Sequence, residues 1–148
     1  MPIHPFFVHF TLSLAFLFAA MEIFPSLRER IPEKEGSLIG VGTVVFIALA
    51  ALSGRLSLET LQERRIPIPP AAAIHRLLAL SGSALLALLW IAGLRRLRLA
   101  PPIRRSIGLA GLLLLLGAAA VGGHLVYDDR LGTDFGAPSP AAPPAIRP

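Results

Sequence analysis

Residues 71–94 read AAAIHRLLALSGSALLALLWIAGL. The stretch holds one histidine and one arginine, both near its start, and no acidic residue. About 20 such residues at 1.5 Å each cross the roughly 30 Å hydrocarbon core of a bilayer. The pair Pro69-Pro70 stands directly before it, where a helix loses no backbone donor to proline. The stretch therefore reads as a membrane-spanning helix.

Three further runs have the same character. Residues 3–24 are stopped by Pro25 and a charged segment, 37–58 carry a single arginine, and 103–126 follow Pro101-Pro102. One apolar helix is compatible with a soluble core. Four in 148 residues leave no polar face to cover them. Composition agrees: 54% of residues are hydrophobic and 16% charged, against roughly 25% charged in soluble domains. The expected fold is all-α, an integral membrane four-helix bundle running up-down-up-down. It forms one domain, residues 1–135, followed by a Pro/Ala-rich tail, GAPSPAAPPAIRP at 136–148, that reads as disordered. The lipid bilayer is thus the first expected partner.

The chain has no cysteine, which excludes disulfides, thiolate metal sites, covalent haem attachment and cysteine nucleophiles. The net charge of +5 is carried mostly by arginine in the connections, which speaks of topology. No nucleic-acid motif accompanies it, so no nucleic-acid partner is expected. The first run lacks a basic lead and a small-residue cleavage site, so the N-terminus is expected to be retained. Lys and Arg in the first and third connections number eight, with Arg28, Arg30 and Lys34 in one and Arg95, Arg96, Arg98, Arg104 and Arg105 in the other. The opposite side has six, Arg55, Arg64, Arg65, Arg76, Arg130 and Arg147. That bias places both termini outside.

On this topology all four histidines fall in one leaflet. His4 and His9 start the first span, His75 starts the third, and His124 ends the fourth. His9, His75 and His124 lie at a similar depth, roughly 6–10 Å below the helix boundary. These three are expected to converge. His4 and His9 are about 140° apart on a helix and cannot share a face, so His4 is expected at the rim or before the helix start. His75 leads a small-residue stripe through Ala79 and Gly82, and His124 one through Ala120 and Gly117. Such stripes admit a flat macrocycle or a neighbouring helix.

Ionisable groups inside a membrane usually face the bundle and mark function, and imidazole binds transition metals well. The pattern points first to one b-type haem used for electron transfer, with two of His9, His75 and His124 as axial ligands. His4 or the remaining histidine would then stand as a supporting contact. Arg76, with Arg64 and Arg65, could hold propionates, and Asp128 and Asp129 could orient histidine rings. The alternative is a copper or zinc site built from His4, His9, His75 and His124. A third reading is a cofactor-free accessory or assembly subunit. Glu22 reads as interfacial, and Trp90 and Tyr127 as members of aromatic belts. With no nucleophile–base–acid set and no phosphate-binding loop, an electron-transfer or accessory protein is expected rather than a stand-alone enzyme, with a redox partner or a larger membrane complex.

IHPFFVHFTLSLAFL at the N-terminus resembles the opening HPxxVHFPxAL of the Domain of Unknown Function 2231 family of bacterial membrane proteins. AAAIHRLLAL and VGGHLVYDDRLGTDFG resemble two later segments of the same family. Thr11 stands where that family usually has proline. The resemblance implies a four-helix protein of a bacterial inner membrane. It is also similar, at the level of fold, to membrane b-type cytochromes. Those place histidines near both membrane faces, whereas this chain has them at one, so one haem is expected rather than two.

Overall fold

The computed structural model describes residues 3–97 and 99–127. The tail at 136–148, together with Asp128 and Asp129, lies outside them. Helix α1 spans Ile3–Ile23, α2 Pro25–Arg30, α3 Glu33–Glu63, α4 Ala71–Leu94 and α5 Pro101–Tyr127. The described residues contain helices and connections and no strand. α1, α3, α4 and α5 are each long and apolar enough to cross a membrane, as four spans require.

Local chemistry sets the boundaries. Phe24 is extended and Pro25 opens α2, a short helix absent from the sequence reading. Pro32 precedes α3, and Glu33 and Glu35 complement the positive end of its dipole. α3 runs 31 residues, longer than the 37–58 expected, because its polar continuation stays helical beyond the apolar run. Arg55 and Glu59 bridge one turn there at 2.9 Å. α3 and α4 end alike. Arg65 and Arg96 adopt φ of 55° and 52°. Ile66 N–H then bonds Leu61 O and Leu97 N–H bonds Ala92 O, closing Schellman turns.

The four long helices alternate in direction. α1 lies along α3 and α5, α5 lies along α4, and the circle is loosest between α3 and α4. The core is small: Ala15, Phe18 and Ala19 of α1 meet Leu86 and Leu89 of α4 and Leu112 and Leu115 of α5. Large apolar side chains instead face outward, such as Leu88 at 60% and Leu113 at 58% exposure. A water-soluble bundle would reverse that distribution, whereas lipid tails accept it.

Close helix approach rests on small residues. A Cβ on Gly82 would lie 2.8 Å from Gly111 O, and one on Gly117 would lie 3.6 Å from Leu78. The small stripes below His75 and His124 thus serve the α4–α5 contact. On α1, the Thr11 hydroxyl lies 2.8 Å from Phe46 O of α3 and 2.9 Å from Phe7 O of its own helix. Thr11 therefore fastens two helices.

Candidate functional site

His4 belongs to the first turn of α1, inside the helix rather than before it. The helix turns His4 toward α3, where its Nδ1 lies 2.9 Å from Ser53 Oγ. The Ser53 hydroxyl also lies 3.1 Å from Ala50 O. The same hydroxyl can donate to the ring or accept from it, so the His4 tautomer follows the orientation of Ser53. Gly54 is next to the ring, and a Cβ there would stand 3.0 Å from His4 Cε1.

His75, five residues into α4, is held in a parallel way from α5. Its Nδ1 lies 2.8 Å from Ala118 O, which can only accept, so Nδ1 carries the proton and donates. A Cβ on Gly122 would stand 2.9 Å from His75 Cε1. The two imidazoles meet edge to face, with centroids 6.5 Å apart and planes at 90°. Both are half-buried. Four helices thus contribute to one polar cluster at one end of the bundle. In His75 the Nδ1 bond to a carbonyl leaves a lone pair on Nε2, the arrangement a metal-ligating histidine uses.

The other two histidines lie elsewhere. His9 is exposed on the outer face of α1, its Nδ1 2.6 Å from Pro5 O one turn back. His124 is exposed near the end of α5. The convergence expected of His9, His75 and His124 is therefore replaced by the pair His4 and His75. The 140° offset between His4 and His9 does separate them, with His4 inward. Among the described residues no three His, Asp or Glu side chains gather as a metal-ligand set. Arg76 is exposed, one residue from His75. Ser53 and Gly54 carry no motif signal, whereas Gly122 belongs to the segment VGGHLVYDDRLGTDFG; all three matter because the helix rotation brings them beside the rings.

A second polar cluster sits at the other end. Glu22, near the end of α1, has a side chain only 5% exposed. Its Oε1 accepts from Arg28 of α2 at 2.7 Å, and its Oε2 is paired with Arg104 of α5 at 2.5 Å. The expectation of an interfacial Glu22 gives way to a buried carboxylate between two guanidinium groups. Trp90 also differs from a belt residue: it packs against Gly40 of α3, and its indole N–H is buried without a hydrogen-bond partner.

No curated protein and no solved structure matches the chain. The sequence does match the family model described as a predicted membrane protein, DUF2231, over residues 1–135. With nearly the whole chain covered and four membrane-length helices in place, the protein belongs to that family of membrane proteins.

Proposed function

We propose that this membrane protein holds one redox-active transition-metal centre between His4 and His75 and carries electrons at that end of the bundle. One observation carries the reading: two imidazoles from different helices, 6.5 Å apart, each with Nδ1 bonded to a neighbouring helix. His4 and His75 would hold the ion, each through one ring nitrogen. Neutral imidazole without thiolate suits copper, and zinc would bind without redox chemistry. Bound copper would supply one-electron transfer. The protein's own share is to orient both rings, through Ser53 and Ala118, and to pack closely against them at Gly54 and Gly122.

Haem b is the second reading, and the loose α3/α4 seam is what favours it. His4 and His75 would hold the haem between them, and the macrocycle would need an opening by which to enter. Gly54 and Gly122 close two sides of the pair so tightly that a Cβ would crowd the rings. The α3/α4 side is the remaining way in. In either reading the Lys and Arg distribution favours the outer face of a bacterial inner membrane for the histidine end and both termini. The electron partner would then be a membrane or outer-side redox protein.

The test is an absorption spectrum and metal analysis of full-length protein purified in mild detergent after growth with copper and with haem precursor. Stoichiometric copper, or a Soret band with sharp reduced α and β bands, is expected. Either should be lost in His4→Ala and His75→Ala and kept in His9→Ala. A colourless, metal-free protein that also fails to take up added copper would overturn the proposal and leave a cofactor-free accessory subunit.

A further inference from the structure

At the same end of the bundle as the histidine pair, the loose seam between α3 and α4 opens into a groove of about 290 Å³. That volume is near the lower end of the range for small-ligand sites. Leu58 and Gln62 line it from α3, and Ala72, Ala73 and Arg76 from α4. Ile68, Pro69 and Pro70 of the connection complete it. Its lining is apolar except for Gln62 and Arg76. We propose that this groove binds an anionic phospholipid, with the phosphate on Arg76 and the start of an acyl chain along the apolar lining.

Charge complementarity selects this occupant. Arg28 and Arg104 hold Glu22, and Arg55 holds Glu59. Arg76, by contrast, is exposed and makes no hydrogen bond or ion pair among the described residues. Its guanidinium presents five donors in a fork that fits a phosphate. Gln62 can add an amide donor. The first turn of α4, with Ala72 and Ala73, brings the positive end of that helix dipole to the same place. Gln62 is one residue from the end of α3, and Arg76 is in the second turn of α4, near enough to the helix end for its long side chain to reach headgroup level. Leu58, one turn further into α3, lines the inner part of the groove. A neutral headgroup would leave the guanidinium without an anion, and a free phosphate would leave the apolar lining uncovered.

The experiment adds phosphatidylglycerol or phosphatidylcholine to delipidated full-length protein in neutral detergent and measures retained lipid by native mass spectrometry. Phosphatidylglycerol should be retained about fivefold more strongly, the preference expected of one arginine near the surface. Arg76→Gln should bring the two lipids close to parity, Arg76→Lys should keep most of the preference, and Arg105→Gln at the opposite end should leave it unchanged. Excess inorganic phosphate should not displace the lipid. Equal retention of both lipids by the native chain, an unaltered preference in Arg76→Gln, or displacement by inorganic phosphate would each overturn the proposal. None of these readouts depends on a metal at the histidine pair.

Discussion

The rings of His4 and His75 stand perpendicular, 6.5 Å apart, and each is gripped by a helix to which the other is not bonded. Ser53 of α3 holds His4, and Ala118 of α5 holds His75. One contact between two side chains therefore joins all four long helices.

That joint should be felt in stability even without a bound ion. His4→Ala or His75→Ala removes a half-buried hydrogen bond and unsupports its partner, a loss of about 1–3 kcal/mol. His9→Ala removes only a bond to the exposed first turn of its own helix and should change stability by no more than about 0.5 kcal/mol. Denaturation in graded SDS would show the order. Equal effects at His4 and His9 would mean that the ring contact contributes nothing.

The glycines beside the rings give a second test. Gly122→Ala and Gly54→Ala would place a Cβ 2.9 Å and 3.0 Å from the imidazoles, and overpacking of this kind costs about 1–3 kcal/mol. Gly93 and Gly123 are helical or nearly so and meet nothing within 4 Å at the added Cβ. Gly93→Ala and Gly123→Ala should raise stability by up to about 1 kcal/mol through helix propensity alone. Thermal unfolding in one detergent compares all four variants. If Gly122→Ala melts with or above the native chain, the histidine has another place to go.

The sequence made the four spans legible because hydrocarbon imposes a length and forbids charge, and both constraints are written residue by residue. It also made legible that His4 and His9 point apart. It did not show which of them points inward, because the rotation of α1 is set by Thr11, Ala15 and Phe18 meeting helices far away in sequence. The burial of Glu22 was hidden for a related reason: its partners are 6 and 82 residues away. The extra length of α3 escaped because hydropathy marks the apolar part of a helix, whereas backbone bonding continues through Glu59 and Glu63.

Glu22 should be the more sensitive member of its cluster. Removing it by Glu22→Ala leaves two guanidinium groups without their anion, one of them, Arg104, with a side chain only a quarter exposed. Losing one side of a buried pair costs about 3–5 kcal/mol. Arg28→Ala should cost much less, since its side chain is about half exposed and Arg104 still neutralises Glu22. The comparison of these two variants by SDS titration is direct. Equal losses would mean that the two arginines do not share the carboxylate.

Arginine at the left-handed closing position of α3 and α4 carries a local strain that glycine does not. The left-handed conformation costs an L-residue roughly 1–2 kcal/mol, offset in part by the greater freedom glycine has when unfolded. Arg65→Gly and Arg96→Gly should therefore each stabilise the fold by up to about 1 kcal/mol. If the native arginines instead contribute through the membrane interface, the gain should appear in neutral detergent and vanish in anionic lipid.

Trp90 and Gly40 should be coupled, and a double-mutant cycle would read the coupling. The indole edge lies so close to Gly40 that an added Cβ would overlap it, and the same edge carries the buried N–H without a partner. Trp90→Phe removes that orphan donor, whose burial costs about 1–3 kcal/mol, and loses some ring contact in exchange. Its net effect should be small. Gly40→Ala alone should be strongly destabilising because the Cβ meets a ring rather than a flexible chain. In a Trp90→Ala background the ring is gone, so Gly40→Ala should cost less by about 0.5–3 kcal/mol. Additive effects would mean that α3 and α4 separate at this point to admit the methyl group, and that the seam loose at the histidine end is loose along its length.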